Sequence, residues 1–293
     1  MKRLLREFER KWGFIKTQDG LRQAPMRAAI RLISWLVRCS LRRATVINLR
    51  RWNVRMFLPP NWRGFAKRVF AFRENYEPEL IYLERLLSPG SIFIDVGANM
   101  GIYTLVASRL VGEGGRVIAF EPSTQSFPLL QQNIALNSLT NVCAFPLALS
   151  DSTGKAWLYH PGIPDGNSLG RDPAWGNDAE EVATETLDHM VEQAFLKRVD
   201  VIKIDVEGAE ELVLRGATKV LTSIRPAIIF EVNPGFSALL GLPAQGASKL
   251  LESLGYEFLV PSSTGMKSKA KYYYNRVAVH RERKRDQLMA IAN

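Results

Sequence analysis

Two short apolar runs, joined by a glycine turn and a helix-length segment, place the strongest constraint on how this chain can fold. Residues 92–96 and 116–120 are typical of strands that are buried on both faces of a sheet. Between them, the turn GANMG at 97–101 precedes an apolar segment at 102–111 with the length and spacing of a helix. In such a βαβ unit the turn directs backbone N–H groups toward a bound ligand. The sequence therefore predicts an α/β fold with a ligand site at this turn.

The residues of the turn indicate which ligand it holds. A dinucleotide-binding turn has the pattern G-x-G-x-x-G, but Asn99 stands between Gly97 and Gly101 where the second glycine belongs. An acid precedes the turn at Asp95, and another, Glu121, follows Gly97 by 24 residues. This pattern resembles the first motif of S-adenosylmethionine (SAM) methyltransferases, in which the second acid accepts hydrogen bonds from the ribose hydroxyls. A glycine turn with a purely structural role is the alternative.

Carboxylates also end two later strands. The buried runs at 201–204 and 227–230 are followed directly by Asp205 and Glu231. Ligands of open α/β sheets bind at the carboxyl ends of the strands, so we expect these acids to lie near the glycine turn. An acid in this position can instead cap the following helix.

The net charge of +10 is unevenly distributed along the chain. Residues 1–75 contain 19 Lys and Arg against 4 acids, whereas residues 76–266 contain 12 against 23. We therefore predict two parts, a basic and mainly helical N-terminal extension at 1–75 and a catalytic domain at 76–293. Within the extension, the arginines at 27, 31, 38 and 42 share one stripe of a predicted helix. That helix either lies in a membrane interface or packs on the domain with its arginines in water.

The cysteines and the absence of targeting motifs indicate the cellular compartment. The two cysteines are far apart in the sequence and fit no metal-binding spacing, which favours a reducing compartment. No signal peptide or membrane-spanning run is evident, so we expect a cytoplasmic protein, peripheral at the inner face of the membrane if the N-terminal helix binds lipid. No nucleic-acid-binding motif is present, and the sequence does not indicate an oligomeric state. The loop-rich stretch 161–181 is either a lid or binding loop, or a surface excursion.

Longer motifs resemble those of the FkbM-family methyltransferases, namely IDVGANMGIYTL, VIAFEP, NIALN, FPLALSD, GNSL and IKIDVEGAEELVLRGA. The resemblance covers about residues 70–280. It implies a class I methyltransferase, Rossmann-like fold, with a mostly parallel seven-stranded sheet, a last antiparallel strand and helices on both faces. It also implies SAM-dependent O-methylation of a sugar, a glycan or glycolipid, or another natural product. The expected cofactor-binding residues are Asp95, Gly97, Ala98, Asn99, Gly101, Tyr103, Thr104, Glu121, Pro122, Ser150 and Asp151.

For the chemistry, an alcohol is a poor nucleophile, so its proton must be removed as it is methylated. Asp205 is the predicted base, with Glu207 or Glu231 as its orienting partner, and Lys203 either holds a carboxylate or binds substrate. A divalent cation held by the three acids is an alternative that we do not expect, because no further ligands are evident. An NAD(P)-linked oxidoreductase and a non-catalytic, membrane-associated scaffold are the alternatives to a methyltransferase.

Overall fold

The computed structural model describes residues 25–61, 64–77, 79–162, 166–259 and 275–283. Its strands are β1 (Thr45–Leu49), β2 (Val54–Leu58), β3 (Ile92–Val96), β4 (Arg116–Phe120), β5 (Val142–Phe145), β6 (Ala148–Leu149), β7 (Gly154–Tyr159), β8 (Ala179–Glu185), β9 (Val201–Ile204), β10 (Ala227–Phe230), β11 (Tyr256–Leu259) and β12 (Arg276–His280). Its α-helices are α1 (Pro25–Ser40), α2 (Phe65–Phe72), α3 (Glu79–Leu86), α4 (Ile102–Val111), α5 (Phe127–Leu136), α6 (Leu187–Gln193), α7 (Glu210–Arg215), α8 (Pro234–Leu239) and α9 (Gly246–Ser253). No helix within these ranges is both long and apolar enough to cross a membrane.

The main sheet has seven strands in the order β11-β12-β10-β9-β3-β4-β5. The strands from β10 to β5 are parallel, and β12 runs antiparallel to both of its neighbours. This is the class I methyltransferase arrangement, and it confirms the predicted fold. Strand β3 lies between β4, the next strand in the chain, and β9, which comes much later. The chain therefore leaves β3 and β9 in opposite directions, which opens a crevice at their carboxyl ends.

One predicted strand is divided in the structure. The sequence of residues 142–149 predicts a single strand, but it forms β5 in the main sheet and β6 in a separate three-stranded sheet, where β6 pairs with β8. Pro146 separates the two pieces, and it has no backbone N–H with which to continue the ladder. The sequence also predicts an edge strand at 184–187, whereas β8 spans Ala179–Glu185. Thr186 follows β8 and caps α6, with its hydroxyl oxygen accepting from His189 N at 3.2 Å.

The strands of the main sheet bury both of their faces. Successive residues of β3 show this, because Phe93 belongs to the apolar cluster on one face and Ile94 to the cluster on the other. The cluster around Phe93 also contains Trp35, Met56 and Phe70. Residues before position 75 thus share one continuous core with the sheet, and the division into two domains at that position stays a prediction.

The N-terminal part contains an antiparallel hairpin, β1–β2, that the sequence pattern does not predict. Two asparagines one turn apart, Asn133 on α5 and Asn137 at its C-terminal cap, bind the free edge of β2. Asn137 accepts from Arg55 N at 2.7 Å and donates to Arg55 O at 2.6 Å. Asn133 accepts from Phe57 N at 2.7 Å. Because these side-chain amides pair with alternate residues of the strand, they take the place of a neighbouring strand and attach the hairpin to α5.

We expect Asn133→Ala to lower the free energy of unfolding by about 1–3 kcal/mol, because it leaves the Phe57 N–H without its partner in a buried setting. Urea denaturation would measure the loss. Gln132→Ala is the matched control, because Gln132 is an exposed amide on the same helix. Equal losses in the two variants would show that the hydrogen bonds of Asn133 do not stabilise the protein measurably.

Candidate active site

A cleft of about 1140 Å³, part of it open to solvent, lies at the carboxyl ends of the central strands. Ten of the predicted site residues line it, and they are Gly97, Ala98, Asn99, Tyr103, Glu121, Pro122, Lys203, Asp205, Glu207 and Glu231. Among the described lining residues, five other predicted positions do not appear, and they are Asp95, Gly101, Thr104, Ser150 and Asp151. The cleft thus unites the glycine turn with the acids that follow β9 and β10.

The glycine turn is pressed against the end of β9. Gly97 N and Ala98 N both donate to Phe120 O, at 2.9 and 3.0 Å, which holds the turn beside β4. Gly97 has a φ of +79°, and a Cβ at this position would lie 1.9 Å from Asp205 O. Only glycine satisfies both the left-handed backbone and this close approach. The turn and the carboxyl end of β9 are therefore in direct contact.

Asp95 lies in the core behind the glycine turn and does not line the cleft. It is buried, and its Oδ2 accepts from the Thr104 hydroxyl at 2.6 Å, across the first turn of α4. Burial raises the pKa of Asp95, while the nearby Lys203 acts in the opposite direction. Its Oδ1 is buried without a hydrogen-bond partner among the described residues. Asp95 and Thr104 thus fix the strand-to-helix geometry from within the core.

Glu121 is arranged to receive hydrogen-bond donors at the edge of the cleft. Its two carboxylate oxygens accept from backbone N–H groups, Oε2 from Asn99 N at 2.7 Å and Oε1 from Ser123 N at 3.0 Å. Burial raises the pKa of Glu121 to about 7, although both backbone hydrogen bonds oppose the rise. Each oxygen has a second lone pair, so the carboxylate can also accept from a ligand.

Lys203 is the cation at the centre of the site, and it is only 2% exposed. Its ammonium donates to Asp205 Oδ2 at 2.8 Å and lies 4.4 Å from the centroid of the Tyr103 ring. The Tyr103 hydroxyl in turn donates to Glu77 Oε2 at 2.5 Å. Burial alone lowers the pKa of Lys203, but the carboxylates of Asp205 and Asp95 outweigh it, so the pKa is raised and the amine stays protonated. Of the two roles predicted for Lys203, the contact favours holding a carboxylate.

Three acids converge beside this lysine. Asp205, Glu207 and Glu231 can each place a carboxylate oxygen within 4.8 Å of the others. Burial, followed by the charges of Asp205 and Glu207, raises the pKa of Glu231 well above its usual range. Carboxylates this close can share a proton, and they are also the oxygen ligands that Mg²⁺ or Ca²⁺ prefers. The expectation that no metal takes part stays a prediction.

Parts of the cleft wall come from segments that the sequence motifs do not single out as site residues. Phe65 and Arg68 of α2 line the cleft, together with Glu77. From the loop after β7, Asn167 and Leu169 line it as well. Asn167 and Leu169 belong to the GNSL motif, which could have identified this segment as part of the site. The segments upstream of residue 70 carry no such signal.

The loop carrying this motif is held in place by its own contacts, which supports the binding-loop interpretation. Ser168 is buried, pairs with Tyr159 and donates from its hydroxyl to Glu207 O at 2.7 Å. Asn167 Oδ1 lies 3.0 Å from His160 Nδ1. Because Ser168 binds the backbone of Glu207, this wall is attached directly to the acidic side of the cleft. Residues 163–165 of the loop lie outside the described residues.

A family model described as the methyltransferase FkbM domain matches residues 95–258, more than half of the chain. The chain belongs to the FkbM family of methyltransferases. The resemblance found in the sequence motifs is thereby confirmed, and the protein is a methyltransferase. The matched range includes the glycine turn, Glu121 and all three clustered acids. It excludes α1, the β1–β2 hairpin and α2.

Several FkbM-family relatives carry more specific names. Methyltransferase sdnD of Sordaria araneosa is 27% identical over 207 residues, which cover 58% of this chain and 79% of the relative. The hexuronic acid methyltransferase AglP of Haloferax volcanii is 30% identical over 149 residues, covering 48% of this chain and 55% of AglP. The 2-O-methyltransferase NoeI of Sinorhizobium fredii is 26% identical over 179 residues, which cover 56% of this chain and 72% of NoeI. The chain thus spans little more than half of AglP.

Among solved structures, methyltransferase FkbM from Methylobacillus flagellatus matches at 14% identity with a TM-score of 0.44, covering 73% of this chain and 53% of that chain. A SAM-dependent O-methyltransferase from Thermotoga maritima matches at 17% identity with a TM-score of 0.38, covering 69% of this chain and 64% of that chain. At these values the strand order of the chain itself, rather than a superposition, defines the fold.

We expect Gly97→Ala to destabilise the protein by at least about 1–3 kcal/mol more than Gly90→Ala, as measured by urea denaturation. Both glycines have a left-handed φ, +79° and +85°, so both variants carry similar backbone strain. A Cβ at Gly90 meets nothing within 4 Å, whereas at Gly97 it meets Asp205 O. The difference between the variants therefore measures the contact between β3 and β9, and similar losses would contradict it.

Proposed function

We propose that the protein is a SAM-dependent O-methyltransferase that acts on a hydroxyl of a sugar, a glycan or glycolipid, or a similar natural product. The observation that carries the proposal is the union, in one cleft, of the glycine turn with Glu121 and of the acidic cluster with Lys203. The turn supplies a place for the donor, and the cluster supplies a place for the proton that the acceptor must lose.

The charge of the cleft favours SAM over a dinucleotide. Its described lining carries five carboxyl groups and two basic side chains, and these are Glu77, Glu121, Asp205, Glu207 and Glu231 against Arg68 and Lys203. SAM brings a positively charged sulfonium, whereas NAD(P) brings a negatively charged pyrophosphate. An acid-rich cleft attracts the first and repels the second. Asn99, which occupies the position of the second glycine in the dinucleotide pattern, supports the same choice.

The name of one relative supports a hydroxyl acceptor, and the name of another supports a sugar acid. NoeI is named as a 2-O-methyltransferase and AglP as a hexuronic acid methyltransferase. A sugar presents several hydroxyls, which suits a cleft whose walls include hydrogen-bonding groups such as Asn167 and Arg68. We therefore place the acceptor between the acidic cluster and these walls, on the side of the cleft away from Glu121.

In the proposed mechanism, SAM supplies a methyl group on a cationic sulfur that becomes a neutral thioether when the methyl leaves. The turn at residues 97–99 would lie against the donor, and the Glu121 carboxylate would accept hydrogen bonds from its ribose hydroxyls. Asp205 accepts the proton of the acceptor hydroxyl while the new oxygen–carbon bond forms. Lys203, fixed by its contacts with Asp205 and Tyr103, orients the Asp205 carboxylate. Glu207 and Glu231 lie close enough to hold the hydroxyl or to share its proton.

Glu121→Gln should weaken SAM binding by about 1.5–3 kcal/mol, because the ribose hydroxyls donate to the charged carboxylate. The pKa of about 7 adds a pH dependence. SAM stabilises the ionised carboxylate, so wild-type affinity should fall by up to about tenfold per pH unit below 7, while the variant stays flat. Calorimetry at several pH values measures both effects. Glu113→Gln, at an exposed acid remote from the cleft, is the control, and an unchanged affinity in Glu121→Gln would rule out the ribose contact.

Asp205→Asn should lower the rate of methyl transfer by about 10²–10⁴-fold while SAM affinity stays nearly constant, because only the basic oxygen is removed. The rate would be measured with methyl-labelled SAM and a range of free sugars and glycolipids, with the product detected by mass spectrometry. A parallel assay with EDTA separates the two chemistries. Loss of wild-type activity in EDTA would assign the acids to a metal ion, and full turnover by Asp205→Asn would show that the carboxylate serves only to hold Lys203.

A further inference from the structure

Helix α1 is held against the domain in a defined orientation. Ala28, Trp35 and Cys39 form its buried stripe. The Trp35 indole donates from Nε1 to Asn61 O at 2.8 Å, and its ring centroid lies 4.9 Å from that of Phe70 in α2. Because this stripe is buried, the opposite side of the helix must face outward.

The outward side of α1 is apolar. Met26, Ile30, Ile33 and Val37 recur at intervals of four, three and four, which places them on one stripe, and Leu41 continues it just beyond the helix. These five side chains, here called the apolar ridge, are each between 54% and 77% exposed. Six of the nine large exposed hydrophobic residues in the described ranges lie between positions 26 and 41. A concentration of this kind marks an interaction surface.

Arginines flank the ridge without an acid among them. Residues 25–43 contain five arginines and no Asp or Glu. The stripe of arginines predicted from the sequence is therefore not the side of α1 that faces outward. Arg31 and Arg38 are half-buried and lie between the ridge and the domain, whereas Arg27, Arg42 and Arg43 are exposed. The helix thus presents a hydrophobic strip with positive charge along its side.

Two of these arginines meet a third from the neighbouring segment. The Arg73 and Arg38 guanidinium carbons lie 4.6 and 5.9 Å from the centroid of the same Phe70 ring, and Arg31 donates to Ala71 O at 3.1 Å. Arg38 Nε and Arg73 Nη1 are buried without a hydrogen-bond partner in the part of the chain that the structure describes. Burial, followed by the charge of Arg31, lowers the pKa of Arg73 to about 10. The charge of Glu74 acts in the opposite direction, and a bound anion would add to its effect.

We propose that α1 docks the protein onto a membrane surface that contains anionic phospholipid. The apolar ridge enters the boundary between headgroups and acyl chains, and the exposed arginines at 27, 42 and 43 bind lipid phosphates. A second copy of the chain is a poorer occupant, because a symmetric contact would bring two sets of arginines together. The proposal does not depend on the donor or the acceptor of methyl transfer.

The docking surface is adjacent to the cleft. Helix α1 packs on α2, and α2 carries Phe65 and Arg68, which line the cleft. One helix thus separates the proposed membrane contact from the proposed acceptor side of the site. The arrangement suits an acceptor that is itself presented at a membrane surface.

Co-sedimentation of the full chain with phosphatidylcholine vesicles, with and without phosphatidylserine, tests the proposal. The wild type should bind the anionic vesicles at low salt and lose binding as salt is raised. Arg27→Gln with Arg43→Gln should lower the partition coefficient about fivefold for each arginine. Lys197→Gln with Lys249→Gln, which removes the same charge at exposed positions elsewhere, should leave it unchanged.

The ridge is tested separately by Ile30→Asn with Ile33→Asn, which should reduce binding about tenfold or more at both low and high salt. Phe195→Asn, at a side chain that is 90% exposed after α6, is the apolar control. Thermal unfolding should be unchanged in all variants, because the substituted side chains are exposed. Absence of wild-type binding at low salt, or full binding by the ridge variant, would overturn the proposal. Sedimentation equilibrium showing that the wild type is a dimer and the ridge variant a monomer would also overturn it.

Discussion

The contact between the carboxyl ends of β3 and β9 is the constraint on which the rest of the site depends. Asp205 O occupies the space that any side chain at position 97 would need, so the two strand ends approach as closely as backbone allows. This contact places the glycine turn and the three clustered acids in one cleft although they lie more than 100 residues apart in sequence. It also leaves little tolerance, because a shift of one strand end moves both halves of the site.

The acidic cluster shows how local charge is balanced against burial. Several carboxyl groups are buried near one another, and burial raises the pKa of Asp95, Glu121 and Glu231. Lys203 stabilises the charged form of its neighbours, and Tyr103 covers the lysine with its ring. A cationic donor would add a second positive charge to this network. Burial and the neighbouring carboxylates thus favour the neutral form of Glu231, and Lys203 favours the charged form of Asp95.

Strands β3, β4, β9 and β10 were predictable residue by residue, because each is a short, mostly apolar run ended by a polar residue or turn. Which acids face the cleft was not predictable, since Asp95 lies inside a strand and turns toward Thr104, whereas Glu121 follows its strand. The β1–β2 hairpin was missed because its edge pairs with asparagine side chains rather than with another strand. Such pairing leaves no pattern in the sequence near the hairpin. The two asparagines are the first and last residues of the NIALN motif.

That pairing has a consequence for biosynthesis. The N–H groups of Arg55 and Phe57 find their partners 82 and 76 residues later in the chain. At translation rates of about 5–20 residues per second, β2 emerges roughly 4–16 seconds before Asn133 and Asn137 are made. During that interval the nascent chain carries an open strand edge, the kind of surface on which chains aggregate. The arginines at 50, 51 and 55 place like charges around this edge, so they repel another nascent copy until α5 arrives.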